Sequence, residues 1–330
     1  MIKVSVCITT YNLEKYIEQT LNSILSQKTS FDFEILVGDD CSTDGTREIL
    51  LAYKERFPEK IKLHLQQKNV GVNKNDYDLI YLAHGEYIAW CDGDDYWIDE
   101  YKLEKQVRIL DENPQYSCVH TLWRNFYEQE SRFEDVYFEQ YDWERILNGR
   151  QYIEKLLTWQ DSGCRFSSLM NRREILLNAL GTEPSILTEV DHLQNDFAIF
   201  CLLVYDKPTF LMKEETVVYR IRPESLSMTK NLQNRYRYCL KGLNLTVYLL
   251  KKYAIGQETI QIALHPHVSF LFRFIFENIK VITDFYKIKQ QLSIVNYKYS
   301  IGQRLLVLTF KYSFLRPFVS LLIHDKKSKQ

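Results

Sequence analysis

Three aspartates within four residues, Asp92, Asp94 and Asp95, follow directly on the apolar run at 87–91. An apolar run of this length predicts a buried strand. Carboxylates gathered at the end of such a strand are costly unless a positive partner neutralises them. Oxygen ligands favour Mg²⁺ or Mn²⁺, and such ions also bind substrate phosphates. The cluster therefore predicts a metal–diphosphate site, although an acidic turn without any function has the same composition.

The segments before this cluster alternate between strand and helix patterns. Strands are predicted over residues 3–10, 33–37, 61–65 and 87–91, and helices over 13–25, from Thr46 as cap onward, and through 79–83. This alternation predicts a mostly parallel sheet with helices on both faces. Ligands bind beyond the carboxyl ends of such strands. Tyr11, Asp39 and Asp40 follow strand ends as the acidic cluster does, so we expect them to converge.

The next hundred residues are less regular. Strands are predicted over residues 116–120 and 166–170, a helix over 196–204, and a closing pair of strands over 209–212 and 216–221. Pro223, Glu224 and Ser225 then break the pattern. We expect a catalytic domain over residues 1–225 and an all-helical region over 226–330.

The C-terminal region differs sharply in charge from the rest. Residues 231–330 contain 16 Lys and Arg against 4 Asp and Glu, although the whole chain has a net charge of −1. Amphipathic helices are predicted over 232–253, 257–289 and 301–323, none apolar enough to span a bilayer. Basic helices rich in aromatic residues fit an anionic membrane surface, or pack on the catalytic domain or another subunit of a homo-oligomer. Nucleic acid is disfavoured, because no nucleic-acid-binding motif accompanies the charge.

The cysteine pattern and the first residues indicate the compartment. Seven cysteines lie mostly in apolar segments without paired spacing, which favours reduced thiols over disulfides or zinc ligands. The chain opens directly as a strand, without a charged and then apolar leader. A cytoplasmic protein is expected, either free or peripheral on the inner face of the cell membrane.

Four motifs in order resemble family 2 glycosyltransferases. They are VSVCITTYN at 4–12, LVGDDCSTDGT at 36–46, NVG at 69–71 and GEYIAWCDGDDYW at 85–97. The resemblance covers about the first 225 residues and is strongest over about the first 110. It implies a GT-A fold and inverting transfer of a sugar from a nucleotide diphosphate to an acceptor hydroxyl, usually with Mg²⁺ or Mn²⁺.

The same resemblance implies a nucleotide pocket at the first two strand ends. Thr9, Tyr11 and Asn12 would contact the nucleotide, with Tyr11 stacking on the base. Asp40 would accept the uracil N–H, which favours a UDP-sugar, while Asp39 would support the loop.

The resemblance also assigns the acidic cluster. Asp92 and Asp94 would be the DxD pair, with Asp94 near the ribose and the metal. Asp95 would bind the metal directly or share that task with Asp94. Arg220 and Arg222 would approach the diphosphate, since arginine chelates phosphate well; otherwise they are a surface pair on a closing strand.

The general base is expected at the start of a helix in the acceptor half. Asp196 is the first choice, and Asp191 and Glu189 are the alternatives. The chain departs from the family by having Asn195 before that aspartate. A plain helix N-cap would also explain an aspartate at this position.

Taken together, these features predict a metal-dependent inverting glycosyltransferase acting on a glycan or lipid-linked acceptor in surface polysaccharide synthesis, such as capsule or lipopolysaccharide. Ser167 and Ser168 lie in a segment that borders the acceptor site in relatives. Two other classes remain open. A sugar nucleotidyltransferase is disfavoured because residues 9–12 lack a Gly-rich phosphate loop, and a non-catalytic scaffold is disfavoured by the buried carboxylates it would retain.

Overall fold

A computed structural model describes residues 2–135, 149–158, 160, 164–182, 185–222, 231–278, 281–312, 315 and 319. Two compact units share the chain. The first comprises Met1–Leu156 and Gln160–Met228, and the second Leu157–Trp159 and Thr229–Gln330. The boundary predicted between residues 225 and 226 lies outside the described residues.

Four parallel strands form the first half of the sheet, as the sequence predicts. They are β1 (Val4–Thr10), β2 (Phe33–Asp39), β3 (Ile61–Leu65) and β4 (Tyr87–Asp92), in the order β3-β2-β1-β4. The register sets Thr10 beside Asp39 and Thr9 beside Asp92, so three strand ends meet at one edge.

Helices cover this half on both faces. They are α1 (Ile17–Leu25), α2 (Thr46–Arg56), α3 (Val72–Leu82) and α4 (Lys102–Glu112). Successive side chains of β1 point to opposite faces of the sheet, and those of Val4, Ser5 and Val6 are all fully buried. The predicted cap of α2 is wrong by one residue. Gly45 is the N-cap, because the Thr46 hydroxyl already belongs to the first turn and donates to Asp44.

Mixed strands complete the sheet of the first unit. They are β5 (Tyr96–Trp97), β6 (Cys118–Tyr127), β7 (Arg132–Asp135), β8 (Met170–Arg172) and β9 (Thr209–Ile221). The order continues from β4 as β8-β6-β9-β5, with β7 on β6. β8 is antiparallel to β4 and β6, whereas β6 and β9 run parallel. Helices α5 (Gly149–Leu157), α6 (Arg173–Thr182), α7 (Ser185–Thr188) and α8 (Asn195–Asp206) intervene along the chain.

Two strand predictions in this half are wrong. Residues 166–170 begin as a 3₁₀ turn, Phe166–Ser168, because the N–H groups of Ser168 and Leu169 bond back three residues instead of joining a ladder. The two closing strands are one continuous strand, β9. The charged residues at its centre, Lys213 and Glu214, are typical of a turn. In the structure they lie exposed on the strand, next to a register shift against β6.

The second unit is helical in its described part. It contains α9 (Leu232–Lys252), α10 (Gln257–Glu277), α11 (Ile282–Ile294) and α12 (Ile301–Lys311). The single helix predicted over 257–289 is therefore wrong, since α10 ends at Glu277 and its C-cap, Asn278, donates a side-chain N–H to the Phe274 carbonyl. Phe285 packs at 5.4 Å from Phe272 and 4.6 Å from Phe310, centroid to centroid, which joins three of these helices. Within the described residues, no helix has the length and apolar character needed to cross a bilayer.

Candidate functional site

The acidic loop, residues 92–95, is a tight turn at the end of β4. The Asp95 N–H bonds to the Asp92 carbonyl at 3.0 Å, and the Gly93 N–H bonds to the Thr9 carbonyl at 3.2 Å. A Cβ at Gly93 would lie 3.0 Å from that carbonyl oxygen, so the close approach requires glycine. The Thr20 hydroxyl of α1 contacts the carbonyl oxygens of Gly93 at 2.9 Å and Asp95 at 2.7 Å. The loop is thus fixed to β1 and α1.

Asp95 is the most enclosed carboxylate of this loop, with 1% of its surface exposed. Its Oδ2 accepts the Ser167 hydroxyl at 2.6 Å, and its Oδ1 accepts the Arg220 backbone N–H at 2.9 Å. Burial, helped by the charge of Asp94, raises the pKa of Asp95 to about 7 despite these donors. Asp95 therefore ties the acidic loop to β9 and to the turn before β8.

Asp94 contacts two arginines, Arg220 on β9 and Arg222 directly after it. Arg222 pairs with the Asp94 carboxylate at 2.7 Å. The Arg220 guanidinium bonds to the Asp94 carbonyl at 2.8 Å and to Gln19 at 2.7 Å, and it lies 4.9 Å from the centre of the Tyr16 ring. Arg220 is buried and supports the acidic loop, whereas Arg222 holds the carboxylate itself.

Asp92 lies where negative charge accumulates. Burial raises the pKa of Asp92 well above its ordinary value, and Asp95, Asp94, Asp76 and Asp196 raise it further. Among the described residues, no hydrogen-bond donor reaches the Asp92 carboxylate. Such a group of oxygens suits a hard divalent cation.

The described side chains fit only part of a metal coordination shell. No three His, Cys, Asp or Glu side chains among the described residues converge as a ligand set. Mg²⁺ in particular is commonly held by one or two carboxylates together with substrate phosphates and waters. The acidic loop fits that kind of site, with Asp94 and Asp95 as the predicted ligands.

The predicted nucleotide carboxylate, Asp40, is held at the end of β2. Its two oxygens accept the N–H groups of Val70 at 2.6 Å and Gly71 at 2.9 Å. Burial raises the pKa of Asp40 in spite of these two donors. Asp39 next to it is fully buried and accepts Arg47 Nε at 2.8 Å, so it supports the loop from within.

The loops after β1 and β2 are tied together at the same edge. Asn12 adopts a left-handed φ of 55°, accepts the Thr43 N–H at 2.8 Å and donates its own N–H to Ser42 at 2.9 Å. Asn tolerates that conformation better than most residues. The Tyr11 side chain is 46% exposed, which leaves its ring accessible at this edge. Thr9 lies near the end of β1 itself, beside Asp92 of β4.

The three candidates for the base lie in different surroundings. Asp196 stands in the first turn of α8, half-buried, close enough to Asp92 to raise the pKa of that carboxyl. Burial raises the pKa of Asp196 itself, while the Phe197 N–H and Arg165 lower it. Asp191 and Glu189 are exposed. The charge of Asp196 is one of those that raise the pKa of Asp92.

Two residues near the site were missed by the sequence analysis. Asp76 on α3 is fully buried, and its Oδ2 accepts the side-chain N–H of Asn195. Arg165 is held by aromatic faces, 4.3 Å from the Tyr219 ring centre, and lowers the pKa of both Asp95 and Asp196. The only local signal is the polar character of Asp76 on a helix that packs against the sheet.

We expect the Ser167→Ala variant to lose stability at every pH, because Ser167 also accepts the Asp92 N–H at 3.0 Å, and to lose more above pH 7. The change removes a donor to Asp95, which costs about 1–3 kcal/mol when the acceptor is buried and charged. Because the pKa of Asp95 is about 7, the loss should be larger at pH 8 than at pH 5. Urea unfolding in metal-free buffer measures this loss of stability.

Ser168→Ala is the matched control, since that buried hydroxyl donates to the Arg165 carbonyl, and its effect should not depend on pH. Equal losses at both pH values for Ser167→Ala would contradict the assignment.

We expect a second pH dependence of stability from Asp76. Burial raises the pKa of Asp76 to about 8, above an unfolded value of about 3.9. The folded protein therefore keeps a proton that the unfolded chain loses, so this carboxyl reduces stability as pH rises from about 4 through about 8. Asp76→Asn should become more stable relative to wild type over that range, by about 1 kcal/mol or more. Urea unfolding at pH 5 and pH 8.5 tests this, and a difference independent of pH would refute it.

Comparison with known proteins agrees with this architecture. The family described as Glycosyl transferase family 2 matches residues 5–178, more than half of the chain. TuaG of Bacillus subtilis, a putative teichuronic acid biosynthesis glycosyltransferase, is 40% identical over 116 residues, 35% of this chain and 44% of TuaG. TarS of Staphylococcus aureus, a poly(ribitol-phosphate) beta-N-acetylglucosaminyltransferase, is 37% identical over 114 residues, 34% of this chain and 20% of TarS. An uncharacterized Mycobacterium tuberculosis protein is 40% identical over 145 residues, 44% of this chain and 41% of its own length. The matched region spans less than half of each relative.

Solved structures share the fold. The structure of S. aureus TarS 1–349 in complex with UDP-GlcNAc has a TM-score of 0.63 at 19% identity, covering 100% of this chain and 93% of that one. The mannosyltransferase PcManGT from Pyrobaculum calidifontis, in complex with GDP-Man and Mn²⁺, has a TM-score of 0.52 at 18% identity, covering 96% and 83%. These likenesses establish a GT-A α/β fold followed by C-terminal helices.

Proposed function

The chain belongs to glycosyl transferase family 2, and from this premise we propose that it transfers a sugar from a UDP-sugar to a hydroxyl of a glycan or lipid-linked acceptor, with inversion and with Mg²⁺ or Mn²⁺. The observation that carries the proposal is the electrostatic effect of Asp196, in the first turn of α8, on Asp92 at the end of β4, since the charge of Asp196 helps to raise the pKa of Asp92. In the proposal, Asp196 serves the acceptor and Asp92 lies on the side of the donor diphosphate.

We assign the nucleoside to the edge formed by the first two strands. Asp40 is oriented by Val70 and Gly71 and retains lone pairs for the uracil N–H. Tyr11 offers an exposed ring for stacking, with Asn12 next to it in the loop and Thr9 near the end of β1. TarS was crystallised with UDP and with UDP-GlcNAc, which supports a uridine donor here.

The diphosphate would lie over the acidic loop. Asp94 and Asp95 would hold the metal, which when bound supplies positive charge to the leaving diphosphate. Arg220 orients the loop from beneath, and Arg222, already on Asp94, lies where it can approach a phosphate oxygen. Arg220 lies on β9 and Arg222 directly follows it.

Inversion requires a single displacement at the sugar carbon, with one base on the acceptor side. Asp196 fits that role because burial raises its pKa, which makes the ionised carboxylate a stronger base than an exposed one. The charge of Arg165 acts against that rise in pKa. In this scheme Asp196 takes the acceptor proton as the acceptor oxygen bonds to the sugar carbon and the bond from that carbon to the diphosphate breaks.

The C-terminal unit supports contact with an anionic membrane surface, where a lipid-linked acceptor would reside. Helix α12 exposes Ile301 (80%), Leu308 (42%) and then Tyr312 (41%), together with the cations Arg304 and Lys311. Apolar residues beside cations fit an anionic interface. Cosedimentation should show stronger binding to vesicles containing phosphatidylglycerol than to phosphatidylcholine alone. Equal binding, or a stable dimer that hides this face, would favour protein packing instead.

Product analysis tests the proposed reaction. Purified protein, Mn²⁺ and a panel of UDP-hexoses and UDP-N-acetylhexosamines should give UDP release with glycan or lipid-linked acceptors, and NMR should show the opposite anomer in the product. Retention of the anomer would contradict the mechanism. Pyrophosphate formed from UTP and a sugar 1-phosphate would instead reveal a nucleotidyltransferase.

A further inference from the structure

The segment that leads into α8 is held by α3 at two points. The Asn73 side-chain N–H donates to the His192 carbonyl at 3.0 Å, and the Asn195 side chain donates to Asp76. Asn195 is the first residue of α8, and Asp196 follows it in the same turn. The position of Asp196 thus depends on contacts made by a different helix.

In the Asp76–Asn195 contact, the Asn195 amide is the hydrogen-bond donor and Asp76 is the acceptor. Asp76 is fully buried, Asn195 is 7% exposed, and the Asp76 Oδ1 has no hydrogen-bond partner among the described residues. An amide at position 195 supplies the donor that a buried carboxylate needs. A carboxylate at position 195 would instead bring two acids together in a buried place, which is strongly unfavourable.

We propose that Asp76 is a positioning residue, which through Asn195 fixes the first turn of α8 so that Asp196 faces the acidic loop. The proposal accounts for the amide at position 195, whose side chain donates to Asp76. It rests on the proposed function in one respect, the use of Asp196 as the base. The pairing of positions 76 and 195 stands independently of that role.

Four proteins form the test: wild type, Asn195→Asp, Asp76→Asn and the double variant that exchanges the two groups. Hydrogen–deuterium exchange of residues 192–200 reports the order of the turn without any substrate. We expect Asn195→Asp to speed exchange there by about tenfold or more, and the double variant to restore it to within about threefold of wild type. Asp78→Asn, the same change at a partly exposed site on α3, is the control and should leave exchange in this segment unchanged.

Measurement of turnover distinguishes a misplaced Asp196 from a general loss of stability. With Mn²⁺ and UDP-GlcNAc, UDP-glucose and UDP-galactose as probes, Asn195→Asp should lower kcat by up to about a hundredfold, with the Kd for UDP within about twofold of wild type. The double variant should recover most of kcat. Exchange at wild-type rate in Asn195→Asp, or a double variant as disordered as the single one, would overturn the proposal. If exchange follows the prediction but Asp196→Asn keeps full turnover, the positioning stands and the base assignment fails.

Discussion

Replacing Asp196 by asparagine should abolish sugar transfer while UDP and Mn²⁺ still bind. The amide keeps the shape of the side chain in the first turn of α8 but cannot accept the acceptor proton. Loss of a general base typically costs about 10²–10⁴-fold in rate. Initial rates of UDP release with saturating donor and acceptor measure the loss, and calorimetry with UDP and Mn²⁺ shows that the donor site is intact.

Asp191→Asn is the matched comparison for this experiment. Asp191 lies five residues earlier in the same segment, but its side chain is exposed, whereas Asp196 acts on Asp92. We expect the Asp191 variant to transfer sugar at a rate within about threefold of wild type, as for most exposed substitutions. Full activity in Asp196→Asn together with a large loss in Asp191→Asn would move the base to Asp191.

Replacing Asp94 by asparagine should remove the Mn²⁺ dependence of UDP binding. In the structure Asp94 pairs with Arg222, so a change at Asp94 removes both a predicted metal ligand and an ion pair. Changes even in the groups that support metal ligands cost about 10–100-fold in affinity, and loss of a ligand should cost at least as much. Calorimetric titration of UDP with Mn²⁺ and with EDTA gives the two affinities.

Arg222→Gln separates these two roles of Asp94. It breaks the same ion pair but leaves the carboxylate, so we expect UDP to bind more weakly with the Mn²⁺ dependence retained. If both variants lose the metal effect equally, Asp94 acts by holding Arg222 and the metal is bound elsewhere. If neither does, the acidic loop is not the metal site.

The first half of the fold was predictable because its signals are local. β1 to β4 are apolar, β-branched runs bounded by polar residues, and the carboxyl ends of parallel strands must meet at one edge. The second half depends on pairing between distant segments. β9 carries charged residues at its centre and persists as one strand because β6 pairs with it along its length. No periodicity in the sequence contains that information.

The same contrast applies to the site. Asp92, Asp94 and Asp95 stand together in the sequence, so their proximity is immediate. The sequence gives no sign of the place of Asp76, since a single aspartate in a predicted helix usually faces solvent. Its contact with the start of α8 is evident only in the folded structure, where α3 packs against β1. Arg165 likewise acquires its place from the aromatic rings of other strands. Contacts between distant segments decide these positions.

Calorimetric titration of the wild-type protein with UDP, in Mn²⁺ and then in EDTA, tests the central claim most directly. The account predicts saturable UDP binding that weakens by about tenfold or more when the metal is removed. A GDP titration under the same conditions should give weaker binding, because the proposal has Asp40, oriented by Val70 and Gly71, accept a uracil N–H. No binding of UDP, GDP or dTDP with Mn²⁺ present would contradict a nucleotide-sugar site at the acidic loop.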